Sequence, residues 1–192
     1  GERLPFVYWD LDRPALASGR PSELIRAAAE QLTRQFPKNS DSLQPFRKES
    51  RGADEAPTVA LGQLAEAIEG LLSRVDLFER PVLLVLDSFE SIQYHPDLVE
   101  RVTYFLSDLQ KHLPRIRVVV SGRAPVPGME LGGRKPVLHE LGPLDQEEAR
   151  ELLDTLGVAP EHAGSLSARL PGYPLELVIV ARILAQSGAD IE

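Results

Sequence analysis

The chain has 192 residues and a mass of 21.2 kDa, enough for one α/β core with a small helical appendage but not for two full-sized domains. It contains no cysteine, which excludes a disulfide scaffold, a cysteine-ligated zinc site and a cysteine nucleophile, and fits a reducing cytoplasm. The net charge of −8 gives no indication of nucleic-acid binding, and the longest apolar run, Val82–Leu86, is too short to cross a membrane.

The first part of the chain is predicted to contain one strand and two helices. Phe6–Asp12 is rich in aromatic and β-branched residues, as strands are. Apolar residues recur at helical spacing from Pro21 to about Phe36, with Ser22 as a plausible cap, and again from the cap Thr58 to Val75. The polar stretch from Pro37 to Pro57 is predicted to be a surface loop or a mobile insertion.

Further strands alternate with helices in the middle of the chain. Val82–Leu86 is aliphatic throughout, which predicts a strand buried on both faces. Asp97 and Glu100 have the spacing of a capping box for the helix that follows. Ile116–Val120 is predicted to be the next strand and Pro136–Leu141 a short last one. This alternation predicts a parallel sheet with right-handed crossovers, in which ligands bind at the carboxyl ends of the strands.

The end of the chain contains helical patterns only. They cover residues 145 to 156, 160 to 170 and 174 to 186, and Asp145 and Glu148 have capping-box spacing before the first of them. We therefore expect an α/β core over residues 1–143 and a helical lid over residues 144–192.

An aspartate and a glutamate follow the aliphatic strand in a pattern that resembles a Walker B motif. A carboxylate at a rigid strand end suits Mg²⁺ bound to nucleotide phosphates, usually through the water shell of the ion, and Asp87 is the candidate for this role. Glu90 is the candidate that orients or deprotonates the attacking water. The alternative interpretation is that a buried parallel strand simply ends in polar residues.

The next strand ends in a second group of polar residues. Arg123 would place a fixed cation near phosphate charge, with Ser121 as a hydroxyl donor. The alternative is a surface arginine after a strand. Tyr8 and Trp9 are interpreted as core or strand-end packing, and the four histidines have no metal-ligand spacing.

Two later segments complete a resemblance to a class of ATPases. His139–Leu153, a leucine and proline-leucine segment followed by an acidic helix, resembles the exit from the nucleotide domain of STAND-class ATPases. Leu170–Leu177 resembles their Gly-x-Pro element, although Gly172-Tyr173-Pro174 also suits an ordinary turn that opens a helix. In order and spacing, the motifs are similar to those of the NACHT, NB-ARC and AAA-related ATPases from about Phe6 to Leu184.

The resemblance implies a three-layer P-loop NTPase-like parallel sheet with a C-terminal helical lid, and a switch controlled by ATP and Mg²⁺. It assigns phosphate sensing to Arg123, nucleotide contacts to Asp87 and Ser121, and the lid contact to Pro174. It also implies that the chain works with other domains of the same polypeptide and in an oligomer.

The sequence departs from this class at its start. A P-loop ATPase needs a strand, a Gly-rich loop ending in Gly-Lys-Ser or Gly-Lys-Thr, and a helix, and the 192 residues contain no such segment. That unit takes roughly 25 to 30 residues, whereas only Gly1–Pro5 precede the first strand. In this class the missing strand lies in the middle of the sheet. We therefore expect a truncated chain that alone binds ATP weakly or not at all. Its sheet is either incomplete or completed by a partner or by a rearrangement.

Two other functions stay open. The chain is alternatively a non-catalytic α/β interaction scaffold that binds a partner through its acidic surface or through the stretch from Pro37 to Pro57. A third hypothesis is a DNA-associated ATPase of the initiator type, whose DNA-reading domain would follow Glu192.

Overall fold

The structure is a computed structural model that describes residues 4–48, 52–126 and 129–187. By its internal contacts the chain divides into two compact units, Gly1–Val137 and Leu138–Glu192. The first unit contains strands β1 (Phe6–Asp10), β2 (Val82–Asp87) and β3 (Ile116–Val120), and helices α1 (Pro14–Ala17), α2 (Pro21–Gln35), α3 (Gln44–Lys48), α4 (Gly52–Glu55), α5 (Pro57–Arg74), α6 (Glu90–Gln93) and α7 (Pro96–His112).

A parallel sheet in the order β1-β2-β3 forms the centre of the first unit. Asp10 pairs with Asp87, and Leu86 pairs with Val120, so the three strands end at the same edge of the sheet. The predicted α/β class and the parallel sheet are confirmed, and the architecture is compatible with an incomplete P-loop NTPase-like fold.

One face of the sheet is buried under α2, α5 and α7. Trp9 of β1 is 1% exposed, and its ring meets that of Phe105 of α7 edge to face, with the centroids 5.8 Å apart. Removing this apolar surface from water is the main source of stability for the first unit. The sheet residues buried on this face are Val7, Trp9, Val82, Leu84, Leu86 and Ile116.

The opposite face of the sheet is covered less completely. Burial alternates along β2, where Leu83 and Val85 are only half-buried, and Val119 of β3 is 47% exposed. Burial on both faces, which the aliphatic run predicted, is therefore found on one face only. The reason is that α2, α5 and α7 all pack on the same side.

Two glutamines of α2 close the outer edge of β1. The side-chain amide of Gln31 accepts a hydrogen bond from the Tyr8 N–H at 2.7 Å and donates one to the Tyr8 carbonyl at 2.6 Å. Gln35, one turn further along, forms the same two bonds with Phe6. Each amide substitutes for a residue of a neighbouring strand, whereas β3 has no outer neighbour in the part of the chain that the structure describes.

The described residues between α2 and α5 are largely helical rather than a loop. They form the 3-10 helix Asp41–Leu43 as well as α3 and α4, and Leu43 is fully buried. Asp54 of α4 accepts hydrogen bonds from the N–H and the hydroxyl of Ser22, at 2.9 and 2.8 Å, in the first turn of α2. The N-cap residue of α2, Arg20, makes no capping bond with its side chain, so Asp54 supplies the cap from a distant part of the sequence.

The predicted caps of α2, α5 and α7 are wrong. Ser22, Thr58 and Asp97 each lie one position after a proline that takes the first helical position, and none of them is the cap residue. The capping box between Asp97 and Glu100 is therefore absent.

The last predicted strand, Pro136–Leu141, does not form. Val137 is 81% exposed and Leu141 94%, and the described structure gives this segment no backbone hydrogen bond to another one. A strand forms only with a neighbour that pairs with its backbone, and none of the described strands β1, β2 and β3 pairs with this segment.

The second unit is helical, as predicted. Asp145 accepts hydrogen bonds from the N–H groups of Glu147 and Glu148 at 2.9 Å, and Glu148 accepts one from the Asp145 N–H at 3.0 Å, which confirms the capping box. The helices are α8 (Gln146–Thr155), α9 (Pro160–Arg169) and α10 (Pro174–Ser187), and their core consists of Ala149, Leu153, Val158, Ala163, Leu177 and Ala181.

Candidate functional site

The carboxyl ends of the strands bring several predicted site residues together. Asp87 is the last residue of β2, and Ser121 directly follows β3. The Ser121 N–H donates to the Leu86 carbonyl at 2.8 Å, and the Ser121 carbonyl accepts from the Phe89 N–H at 3.0 Å. These bonds continue the pairing of β2 with β3 past the last residues of the two strands.

Both oxygens of the Asp87 carboxylate accept hydrogen bonds from hydroxyl groups. Ser121 donates to Oδ1 and Tyr8 donates to Oδ2. The Ser121 bond, followed by the Tyr8 bond, stabilises the anion and lowers the pKa of Asp87, and the Ser88 backbone acts in the same direction. The same hydrogen bond to Asp87 raises the pKa of Tyr8. These hydrogen bonds therefore favour the ionised form of Asp87.

Glu90 and Arg123 form an ion pair next to this group. Glu90 begins the short helix α6, after a turn in which Ser88 has a φ of 57°. Its Oε1 lies 3.0 Å from Nε of Arg123, whose side chain is 87% exposed, so the pair adds little to stability. Its Oε2 is buried and has no hydrogen-bond partner among the described residues.

Gly122 lets these groups approach one another. A Cβ at this position would lie 3.3 Å from Cβ of Phe89 and 3.4 Å from Oε2 of Glu90. The segment Ser121–Arg123 therefore touches Asp87 with its first residue and Glu90 with the next two. We call the group formed by Tyr8, Asp87, Glu90, Ser121 and Arg123 the carboxyl-edge site.

Two further carboxylates lie at the carboxyl end of β1, where Asp10 is the last strand residue and Asp12 lies in the turn that follows. Asp10 accepts hydrogen bonds from the Asp12 N–H at 3.1 Å and from Nε of Arg13 at 3.3 Å. Asp12 accepts one from the Ser91 hydroxyl at 2.5 Å, which connects the end of β1 to α6. Both carboxylates thus stabilise the turns at this edge of the sheet.

Pro174, the predicted lid contact, belongs to the second unit. It is exposed and begins α10, after a turn in which Gly172 has a φ of +65°. A Cβ on Gly172 would lie 2.2 Å from the Leu144 carbonyl oxygen, and the Leu144 N–H donates to the Gly172 carbonyl at 2.9 Å. Only glycine fits this position, because both its φ and the space beside it exclude a side chain.

Sequence reasoning missed two members of this arrangement, Tyr8 and Gly122. Tyr8 precedes Asp10 by two residues, and this period-two spacing shows that both side chains leave the same face of β1. The spacing does not show that Tyr8 reaches Asp87 on the next strand. The Ser121-Gly122-Arg123 sequence contained the glycine, but nothing in it pointed to a contact with Glu90.

The described residues contain no group of three or more His, Asp or Glu side chains placed to hold a metal ion by themselves. None of their helices combines the length and the apolar character that a membrane span requires.

Comparison with known proteins shows a similarity to part of a longer protein. The chain is 28% identical, over 236 residues, to a protein of Lysobacter enzymogenes named as a probable ATPase. The match takes in 99% of this chain and 22% of that protein, so the chain spans about a fifth of the length of its relative. No protein-family model matches the chain, and no solved structure matches it. The chain is thus similar to part of a probable ATPase.

Proposed function

We propose that this chain is the ATP-binding and ATP-hydrolysing core of a nucleotide-controlled switch of the STAND or AAA-related kind, acting in the cytoplasm. The observation that carries the proposal is the carboxyl-edge site, where an ionised aspartate, a glutamate and an arginine meet at the ends of parallel strands. The similarity to a probable ATPase supports the same chemistry.

The residues of the site fit the periphery of a Mg²⁺-nucleotide. Mg²⁺ keeps most of its waters and takes one or two protein carboxylates in addition to the phosphates, which agrees with a site that offers Asp87 rather than a dedicated cage. When bound, the ion neutralises phosphate charge. Asp87 and Ser121 would face the metal and its waters, and Arg123 the terminal phosphate.

Glu90 has the free acceptor that hydrolysis requires. Its buried Oε2 has no hydrogen-bond partner in the described structure, while Arg123 holds Oε1. Oε2 would accept a hydrogen bond from the attacking water and take its proton as the water oxygen bonds to phosphorus. ADP then leaves with the electrons of the broken phosphorus–oxygen bond.

The chain does not carry the phosphate cradle itself. Without a Gly-Lys-Ser or Gly-Lys-Thr loop in its 192 residues, it has no backbone nest for the β- and γ-phosphates. The proposed activity therefore belongs to a longer polypeptide whose other domains supply this loop and the oligomer contacts. In that polypeptide, Pro174 would contact the nucleotide from the lid.

The test is ATP hydrolysis by the full-length natural polypeptide that contains this sequence. Replacing Glu90 by Gln keeps the shape of the side chain but removes the base, so we expect kcat to fall by about 10²- to 10⁴-fold with ATP affinity retained. Glu100→Gln, the same change at an exposed position of α7, is the matched control and leaves kcat unchanged. Equal rates in the Glu90→Gln variant and the wild type would reject the assignment.

A second candidate function is a non-catalytic interaction module. It is favoured by the apolar residues of α10 that remain exposed, Leu175 at 71%, Ile179 at 48% and Ile183 at 57%. A full-length polypeptide that neither binds nor hydrolyses ATP would favour this function.

A further inference from the structure

Tyr8 holds the proposed metal carboxylate from the side opposite Ser121. The Tyr8 hydroxyl donates to Oδ2 of Asp87, and the Ser121 hydroxyl donates to Oδ1. Tyr8 belongs to β1 and Ser121 follows β3, so each neighbour of the central strand supplies one hydroxyl. The carboxylate is therefore restrained through both of its oxygens.

Hydrogen bonds on both sides of β1 restrain the backbone that carries the Tyr8 side chain. Tyr8 pairs with Val85 in the sheet, and on the other side the amide of Gln31 bonds both its N–H and its carbonyl, at 2.7 and 2.6 Å. Its ring stacks on that of Phe6, with the centroids 6.3 Å apart. Because the backbone is ordered on both sides, the hydroxyl reaches Asp87 with little further loss of conformational entropy.

Two hydroxyls determine the orientation of a carboxylate where one does not. The terminal torsion of an aspartate is broad, so a single hydrogen bond leaves the second oxygen free to move. Each carboxylate oxygen accepts about two hydrogen bonds, so the two hydroxyls and the Ser88 backbone leave part of the accepting capacity of Asp87 unused. The unused capacity would accept hydrogen bonds from metal-bound water.

We propose that Tyr8 is a positioning residue that orients Asp87 toward the water shell of Mg²⁺. This inference rests on the proposed function. Tyr8 itself contacts neither nucleotide nor metal in this proposal. It acts only by orienting the Asp87 carboxylate.

The first test measures the contact without any nucleotide. In the 192-residue chain, a double-mutant cycle of Tyr8→Phe and Asp87→Ala should show a coupling of about tenfold in the unfolding equilibrium constant, as hydrogen bonds to charged groups do. Tyr104→Phe removes the same hydroxyl from an exposed position of α7 and should show no coupling to Asp87→Ala. Absence of coupling at Tyr8 overturns the inference.

The second test measures the Mg²⁺ requirement in the full-length polypeptide. Tyr8→Phe should raise the Mg²⁺ concentration for half-maximal ATP hydrolysis about tenfold, while kcat at saturating Mg²⁺ changes by less than about threefold. Binding of Mn²⁺ in the presence of ADP, followed by electron paramagnetic resonance, should weaken to a similar extent. Tyr104→Phe should change neither value.

The outcomes separate this inference from the proposed function. If the wild-type polypeptide hydrolyses ATP and loses the activity on Glu90→Gln, an unchanged Mg²⁺ requirement in Tyr8→Phe overturns the role of Tyr8 alone. A wild-type polypeptide that neither hydrolyses ATP nor binds Mn²⁺ with ADP overturns the proposed function and this inference together.

Discussion

Asp54 links two parts of the chain through the first turn of a helix. It accepts hydrogen bonds from the N–H and hydroxyl of Ser22 and from Arg20, whose Nη2 lies 2.8 Å away. Partial burial opposes the ionisation of Asp54, but the Ser22 bonds and then the arginine outweigh it and keep the pKa of this carboxyl below its usual value. The charge also lies at the positive end of the α2 dipole.

We predict that Asp54→Ala lowers the free energy of unfolding by about 1 kcal/mol at neutral pH, because α2 loses the side chain that caps its first turn. The folded pKa lies below the unfolded one, so the contribution of Asp54 is present above the unfolded pKa and is lost as the pH falls through the folded pKa. The difference from the wild type should therefore shrink below about pH 4. Urea unfolding at several pH values measures this. Asp41→Ala, at an exposed position, is the control, and a variant as stable as the wild type at pH 7 would contradict the prediction.

At single positions, the sequence predicts where a residue lies along its own strand. It does not predict which side chains on different strands come into contact. Asp87 and Ser121 were expected at the carboxyl edge because each follows a recognisable strand, and the structure brings them into contact. Tyr8 was interpreted as packing, since its partner Asp87 lies 79 positions away and only the register of β1 on β2 brings them together. The catalytic and binding roles of these residues stay predictions.

At the scale of elements, the sheet has two unlike edges. Gln31 and Gln35 occupy the hydrogen-bonding groups of β1, as a further strand would do. Edge strands with free groups pair with other chains, so the glutamines protect this edge against aggregation.

We predict that the double variant Gln31→Ala and Gln35→Ala is less stable and self-associates more than the wild type. The backbone groups of Phe6 and Tyr8 lose four hydrogen bonds and become open to pairing with another chain. Sedimentation velocity over a concentration series compares the two proteins. The control is Gln63→Ala with Gln146→Ala, both at exposed helical positions, and equal association by the control and the variant would rule out the edge as the cause.

The long helices could be predicted from the periodicity of their apolar residues. The short helices could not, because contacts with neighbouring elements stabilise them. The apolar stripes of α2, α5 and α7 predicted these helices to within a few residues. The helices between Asp41 and Glu55 have few apolar residues, and contacts such as the buried Leu43 and the Asp54 cap hold them in place. Pro136–Leu141 has the composition of a strand, but none of the described strands pairs with it.

For the whole molecule, the chain from Gly132 to Pro143 is exposed at every position. We predict that limited trypsin digestion cleaves the native protein first after Arg123 or Arg134, because both are exposed and lie between β3 and α8, where the described residues form no helix or strand. The bond after Lys135 resists because Pro136 follows it. Mass spectrometry of the first fragments identifies the sites, and the double variant Arg123→Gln and Arg134→Gln should slow the first cleavage. Initial cuts within α2, α5 or α7 would contradict the prediction.

The α/β class and the parallel sheet were predictable because aliphatic strands alternate with amphipathic helices over most of the chain. The side on which each helix packs was not predictable, because with right-handed crossovers it depends on the order of the strands in the sheet, which the sequence does not show. For this reason Val119 and Leu83 are more exposed than their aliphatic neighbours suggested.

The glutamines of α2 also bear on the order of events during synthesis. Helix α2 follows β1 closely in sequence, so Gln31 and Gln35 can bond β1 before β2 has left the ribosome. When β2 arrives, only one edge of β1 still offers free N–H and carbonyl groups. A helix made before β2 can thus leave β1 a single edge for pairing, which agrees with the terminal place of β1 in the sheet.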